Sequence, residues 1–331
     1  MHHIANFLEM KKGIEIVGAI DVDSAKVGRD LGDVLGLKRE LGVIVSNDPR
    51  TVLSKEKPQL VIHATTSYLE KVYPQIAEVV EHNANVISTA EELAYPYVSS
   101  PSLSVAIDKL AKAHGVTVLG TGIAPGYLHD TLVIALTALC QRIDRIKVTT
   151  VSEASLMRLT FQKKIGAGMT LEEFRQAAEK GLITLHVGMP NSIGMIADAL
   201  GLKLDAIKEF PPEPVITKEL VRSEHVEVKP GHVAGVRQHA IGIKDGEEMI
   251  IFDFQSYIGA GETYNEILVE GLPSFKVRPD FVLGKEFWTP DMGTAAIIVN
   301  SIPHVLEAPP GLVTMKDLPL PRLSPQDLSA R

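Results

Sequence analysis

Short apolar runs and longer amphipathic stretches alternate along the first third of the chain. Ile14–Ile20 (IEIVGAI) is apolar and rich in β-branched residues, and it stops at Asp21. Leu60–Ala64 (LVIHA) ends in Thr65, Thr66 and Ser67; Val86–Ser88 and Val116–Leu119 are two further runs. Between them, Ser24–Leu35, Leu69–His82 and Ser102–His114 read as amphipathic helices. Near-continuous apolar strands separated by helices predict a parallel sheet covered on both faces. Right-handed crossovers then make it a doubly wound α/β domain.

After about residue 142 the period changes. Arg145–Val151, Val226–Val228, Met249–Gln255 and Ile267–Val269 alternate, with turn signals such as Lys244-Asp245-Gly246 between them. This predicts an α+β domain built on an antiparallel sheet with one wet face. One helix starts at Thr170, whose spacing to Glu173 makes a capping box; another follows Pro190 and ends at Gly201. A late helix, about Met292–Leu306, returns to the first domain, with Pro303 expected to break its last turn. The expected division is 1–125 plus about 292–331 for a dinucleotide-binding domain, and 126–291 for a substrate and dimerisation domain.

A dinucleotide fold opens with a strand, a G-x-G-x-x-G loop, a helix, and a second strand ending in an acid that holds the ribose. Here the helix (His3–Lys11), the second strand and the acid Asp21 are legible, but the first strand and glycine loop are missing ahead of them. Met1 stands about where the last glycine would be, so weak dinucleotide binding is expected of the chain as numbered. Either a misplaced start codon or a real truncation would account for this.

Composition narrows the function. The chain has 331 residues, 45% hydrophobic and 22% charged, with a net charge of −8. That balance gives no basic footprint for nucleic acid or an anionic membrane. No run approaches the roughly 20 apolar residues of a membrane span, and no signal peptide opens the chain. Cys140 is the only cysteine, which excludes an intrachain disulfide and a C-x-x-C zinc site and predicts a cytoplasmic protein with a buried structural thiol. His186, His232 and His239 lack metal-site spacing, so no metal is expected.

Candidate chemistry gathers after the strands. Glu91 and Glu92 follow Val86–Ser88 at the carboxyl edge, where ligands of open α/β sheets bind, and either suits a general base. Acids there also begin helices well; Glu91, sooner after the strand, is the first choice. Asp21, with Asp23 beside it, is placed for the adenosine ribose and against a 2′-phosphate. Thr65, Thr66, Gly120 and Gly122 are candidates to line the cofactor. In Phe161–Thr170, Lys163 and Lys164 supply charge, and the Gly166–Thr170 turn, with Gly168 and Thr170, is expected to present free amides at a helix N-terminus to a substrate carboxylate.

Val86–Pro96 (VISTAEELAYP) and Gly120–Asp130 (GTGIAPGYLHD) make the sequence resemble the 2,4-diaminopentanoate dehydrogenases and related native amine dehydrogenases, of the broader superfamily that includes dihydrodipicolinate reductase. The likeness continues through Phe161–Gly168, His186–Pro190, Gly235–Gln238, Gly293–Asn300 and Pro310–Pro319. Ala124 departs from it, standing where asparagine is expected. The resemblance implies oxidative deamination of a small amine, 2,4-diaminopentanoate to 2-amino-4-oxopentanoate and ammonia, with NAD or NADP, or the reverse amination of a ketone; the free face of the antiparallel sheet is expected to make a homodimer. Two alternatives stand beside it. One is a dihydrodipicolinate-reductase-like imine reductase, weakened by the absence of an H-H-x-x-K-x-D-x-P-S-G-T segment. The other is a paralogue that has lost cofactor binding.

Overall fold

A computed structural model describes residues 2–279 and 289–329, in two units: 2–131 with 289–329, and 132–279. The first opens with α1 (His2–Glu9), which buries Ile4, Ala5 and Leu8. There follow β1 (Ala19–Ile20), α2 (Leu31–Val34), β2 (Val45–Ser46), α3 (Pro49–Glu56), β3 (Leu60–His63) and α4 (Leu69–Glu81). Then come β4 (Asn85–Ser88), α5 (Pro101–His114) and β5 (Thr117–Gly120), before α6 (Thr131–Leu136) leads into the second unit.

The second unit holds β6 (Arg142–Glu153), α7 (Leu159–Lys164), α8 (Leu171–Glu179) and α9 (Met189–Ala199). Its later strands are β7 (Ala206–Glu209), β8 (Glu213–Ile216), β9 (Val221–Arg222), β10 (Glu227–Val228), β11 (Val233–Lys244), β12 (Glu247–Tyr257), β13 (Tyr264–Leu272) and β14 (Phe275–Val277). The chain then returns to the first unit as α10 (Pro290–Glu307) and β15 (Gly311–Val313).

In the first unit the strands pair in parallel, in the order β15-β5-β4-β3. Alternate residues of one strand serve opposite layers, as the pleat requires. Val86 and Val118 pack with Leu69, Ile76 and Ile107 of α4 and α5. Their neighbours Ile87 and Leu119 pack with Ile4, Leu8, Ile298 and Ile302 of α1 and α10. Helices therefore cover both faces, as the continuous apolar strands predict.

Four expectations are corrected here. The parallel sheet is in two parts, because β1 and β2 pair only with each other and share no strand with β3. Of Ile14–Ile20 only Ala19 and Ile20 find ladder partners, while Ile14 and Ile16 pack against the α1–α10 cluster. The Ser24–Leu35 helix shrinks to Leu31–Val34: Gly28 is left-handed at φ +83°, and Asp30 then caps a fresh helix through the Gly32 N–H. Pro303 does not break α10, which runs to Glu307. Proline removes one ladder bond, and the burial of Ile302, His304 and Val305 holds the last turn.

The larger sheet of the second unit has the order β14-β13-β6-β12-β11-β7, with β8 also paired to β11. It is mixed and not purely antiparallel, because β12 runs parallel to β6. Those two strands are far apart in sequence, so no hairpin dictates their sense. The β11–β12 hairpin turns at Asp245 and Gly246, both left-handed, as the Asp-Gly signal predicts. One face of the sheet packs Ile146, Val148, Phe252 and Phe254 against Met189, Ile193 and Ile196 of α9. Cys140 is half-buried and not buried, with Sγ 3.6 Å from the Pro273 carbonyl.

Candidate active site

The carboxyl ends of β3, β4 and β5 open onto a cleft of about 580 Å³ in the first unit. This lies in the ordinary range for a small-molecule site. Ala64 to Ser67 form the lip after β3, Thr89 and Glu91 come from the loop after β4, and Gly122, Ala124 and Pro125 come from the loop after β5. His2, His3 and Ile4 bring the N-terminal turn of α1 to the cleft, and Asp291, Thr294 and Ala295 bring that of α10. Two helix N-termini thus turn their positive dipole ends to the cleft, although at α10 Pro290 lacks an N–H and the Met292 and Gly293 N–H groups already donate to Thr289.

Glu91 and Glu92 are separated by this geometry. Both belong to a short 3₁₀ turn, Glu91–Ala94, but Glu91 lines the cleft and Glu92 is not among the lining residues. Glu92 accepts the Leu69 N–H at 2.6 Å, and its own N–H donates to the Ser67 carbonyl at 3.2 Å. Tyr68, at the N-cap of α4, offers no side-chain cap, so the Glu92 carboxylate does that work from the neighbouring loop. Glu92 thus caps α4, and of the two acids Glu91 is the one at the cleft.

Gly120 and Gly122 sit differently. Gly120 does not line the cleft; a Cβ there would stand 2.4 Å from the Leu93 carbonyl carbon and 2.7 Å from the Ala94 nitrogen. The glycine lets the Glu91–Ala94 turn lie directly on β5. Gly122 does line the cleft, and a Cβ on it would meet only ordinary contacts, at 3.4 Å or more. The crossing after β5 is held by groups the sequence reading passed over. Buried Asp130 accepts the Gly126 N–H at 2.8 Å, and Thr294 accepts the Ile123 N–H at 3.2 Å.

Thr65 and Thr66 line the cleft as expected. Beneath Thr65 lies buried His63, which sequence reading saw only as a strand residue. Its Nε2 is 2.7 Å from Gln75 Oε1 and its Nδ1 2.9 Å from Ser88 Oγ. Burial pushes its imidazole below the usual histidine range, against the raising effect of Gln75.

Asp21 and Asp23 follow β1 but do not line this cleft. Asp21 is occupied: Lys26 Nζ donates to Oδ2 at 2.6 Å and the Asp23 N–H to Oδ1 at 2.9 Å. Those partners, Lys26 first, hold its carboxyl below the usual range.

The free amides expected of Phe161–Thr170 are all used. Gly168 donates to the Val233 carbonyl at 2.8 Å, Met169 to Gly166, and Thr170 N–H to Glu173 Oε2 at 2.7 Å. The Thr170 hydroxyl completes the capping box of α8. Lys163 and Lys164 are exposed on the last turn of α7.

The chain matches known proteins along nearly its whole length. Residues 127–330 match the family described as the 2,4-diaminopentanoate dehydrogenase C-terminal domain. The 2,4-diaminopentanoate dehydrogenase of Acetoanaerobium sticklandii is 36% identical over 326 residues, covering 96% of this chain and 90% of that protein. The solved amine dehydrogenase of Mycobacterium smegmatis superposes with a TM-score of 0.81 at 31% identity, over 98% of this chain and 93% of that one. A dihydrodipicolinate reductase from Paenisporosarcina, at 12% identity and a TM-score of 0.50 over 95% and 93% of the two chains, shares the fold alone. The chain belongs to the 2,4-diaminopentanoate dehydrogenase family.

Proposed function

We infer that the protein is a nicotinamide-dependent amine dehydrogenase that converts 2,4-diaminopentanoate to 2-amino-4-oxopentanoate and ammonia. The observation that carries this reading is a single one: Glu91 lines the cleft at the carboxyl ends of β3, β4 and β5.

The residues fit a dinucleotide. The α1 N-terminal turn with His2 and His3 suits a pyrophosphate, and Thr65, Thr66 and Gly122 leave an open polar wall for the nicotinamide end. When bound, that cofactor accepts the hydride released from the amine-bearing carbon. An ammonium holds its nitrogen lone pair on a proton and cannot drive this release, so Glu91 first removes that proton. Glu91 then gives that proton to solvent; water adds to the resulting substrate iminium, and Glu91 takes the proton that water gives up and returns it to the departing nitrogen. In sum, R₂CH–NH₃⁺, water and oxidised cofactor give R₂C=O, NH₄⁺, reduced cofactor and one proton.

The second unit serves as the substrate and dimerisation domain in this reading. The face of its large sheet away from α9 carries Lys147, Arg237, Asp253 and Gln255, and a homodimer formed on that face is part of the same proposal. Among the described residues no helix is long and apolar enough to cross a membrane, and a cytoplasmic location agrees with the single cysteine.

The test is amine-dependent reduction of NAD⁺ and NADP⁺ by the purified chain. 2,4-Diaminopentanoate should outrun 2-aminoalkanes that lack the carboxylate. Equal rates would remove the diamino acid as the substrate, and no reduction with any amine would remove the reading.

A further inference from the structure

The geometry assigns His63 the role of a positioning residue that fixes two walls of the cleft through its two ring nitrogens. This inference rests on the amine dehydrogenase reading. On one side, Nδ1 is 2.9 Å from Ser88 Oγ, and Ser88 Oγ accepts the Ala90 N–H at 3.1 Å. Ala90 is the residue from which the Glu91 turn starts. On the other side, Nε2 is 2.7 Å from Gln75 Oε1 and 3.2 Å from Thr65 Oγ1. Thr65 Oγ1 also donates to Gln75 Oε1 at 3.1 Å.

One proton arrangement satisfies the contacts to Gln75 and Ser88, and Thr65 joins through the Gln75 oxygen to which its hydroxyl donates. An amide oxygen can only accept, so Nε2 carries the ring hydrogen and donates to Gln75. Burial keeps the ring neutral, which leaves a lone pair on Nδ1. The Ser88 hydroxyl then donates to Nδ1 while its oxygen receives the Ala90 N–H. The ring hydrogen of His63, the Ser88 hydroxyl hydrogen and the Ala90 N–H are thereby committed, and neither His63 (7% exposed) nor Ser88 (0%) has water as a ready substitute. The strand register supports the same link, because His63 and Ser88 are direct partners across β3 and β4. The base and the Thr65 wall are thus set by one buried ring.

The two arms can be cut separately. Asparagine places an amide oxygen near Nδ1 and nothing near Nε2; glutamine places an amide nitrogen near Nε2 and nothing near Nδ1. His63→Gln should lower kcat with 2,4-diaminopentanoate about tenfold or more, by releasing the Glu91 turn, and leave the NADH dissociation constant from titration calorimetry within about threefold. His63→Asn should do the reverse, raising that dissociation constant about tenfold while costing kcat less than His63→Gln does. Ser88→Ala cuts the first arm without touching the ring and should copy His63→Gln. It gives the answer if a His63 variant does not fold. Parallel losses of kcat and NADH affinity in both His63 variants would mean that the ring only supports the fold, and would overturn the assignment. If the unaltered chain reduces no cofactor with any amine, the functional reading fails first. An active chain whose two His63 variants behave alike sinks this inference alone.

Discussion

Gly120→Ala probes the link between backbone packing and chemistry. The new methyl carbon would lie 2.4 Å from the Leu93 carbonyl carbon, 2.5 Å from its oxygen and 2.7 Å from the Ala94 nitrogen. Ordinary carbon contacts begin near 3.4–3.5 Å, so the Glu91–Ala94 turn must retreat by about 1 Å. The obstructing atoms are backbone, so no side-chain rotation relieves them. Overpacking of this kind costs about 1–3 kcal/mol, and for a unit of this size each kcal/mol lowers Tm by about 2–4 °C. A base misplaced by about 1 Å can cost on the order of 10²-fold in rate. The variant should therefore keep its fold, melt a few degrees lower, and lose about two orders of magnitude in kcat. Thermal melting by circular dichroism and steady-state turnover with 2,4-diaminopentanoate read both quantities. A variant with kcat within about threefold of the unaltered chain would show that the turn can shift without moving its acid, and would refute the reasoning.

Four further outcomes are expected. Glu92→Ala removes the cap of α4 and should cost about 1–2 kcal/mol, seen as a lower Tm, with kcat reduced less than about tenfold; a dead but fully stable variant would return Glu92 to the chemistry. Thr170→Ala should cost about 1 kcal/mol through the lost capping box and leave the amine KM unchanged; a tenfold rise in KM would restore its substrate role. Asp21→Ala should raise NADP use relative to NAD, and Lys26→Ala should lower it, because Lys26 stands 2.6 Å from the acid and would meet a 2′-phosphate; unchanged ratios of kcat/KM in both would place discrimination elsewhere. Burial pushes the Asp253 carboxyl up, but hydrogen bonds and charge from Arg237, with Lys147, bring it net below the usual range. Its stabilisation is full above the unfolded aspartate value of about 3.9 and is lost as pH falls through the lower folded value. The stability gap between the unaltered chain and Asp253→Asn should narrow over that acid range in urea titrations; a constant gap would contradict the pairing.

What the sequence made legible follows the range of the forces involved. α4 and α5 read correctly because their apolar spacing is local, and β4 and β5 because they are buried on both faces. The capping box at Thr170 is a four-residue signal and appears as written. β1 read too long because strand length depends on a partner, and β2 offers it only Val45 and Ser46. The parallel pairing of β6 with β12 is invisible to any local pattern. At the cleft, Glu91 was legible from its place after β4, yet its distinction from Glu92 depends on Leu69, more than twenty residues earlier in the chain. The role of His63 depends on Gln75 and Ser88 in the same way. Gly120 looked like a cofactor glycine because close backbone approach to a ligand and to another loop leave the same residue type.

The central claim is that Glu91 is the base of an amine oxidation, and one comparison tests it most directly. Ammonia and reduced cofactor are quantified together for the unaltered chain and for Glu91→Gln, with cofactor affinity followed by calorimetry. The account predicts one ammonia per reduced cofactor from the unaltered chain, and a loss of both products by about 10²–10⁴-fold in Glu91→Gln with affinity nearly unchanged. Near-normal release of both products by Glu91→Gln would contradict it.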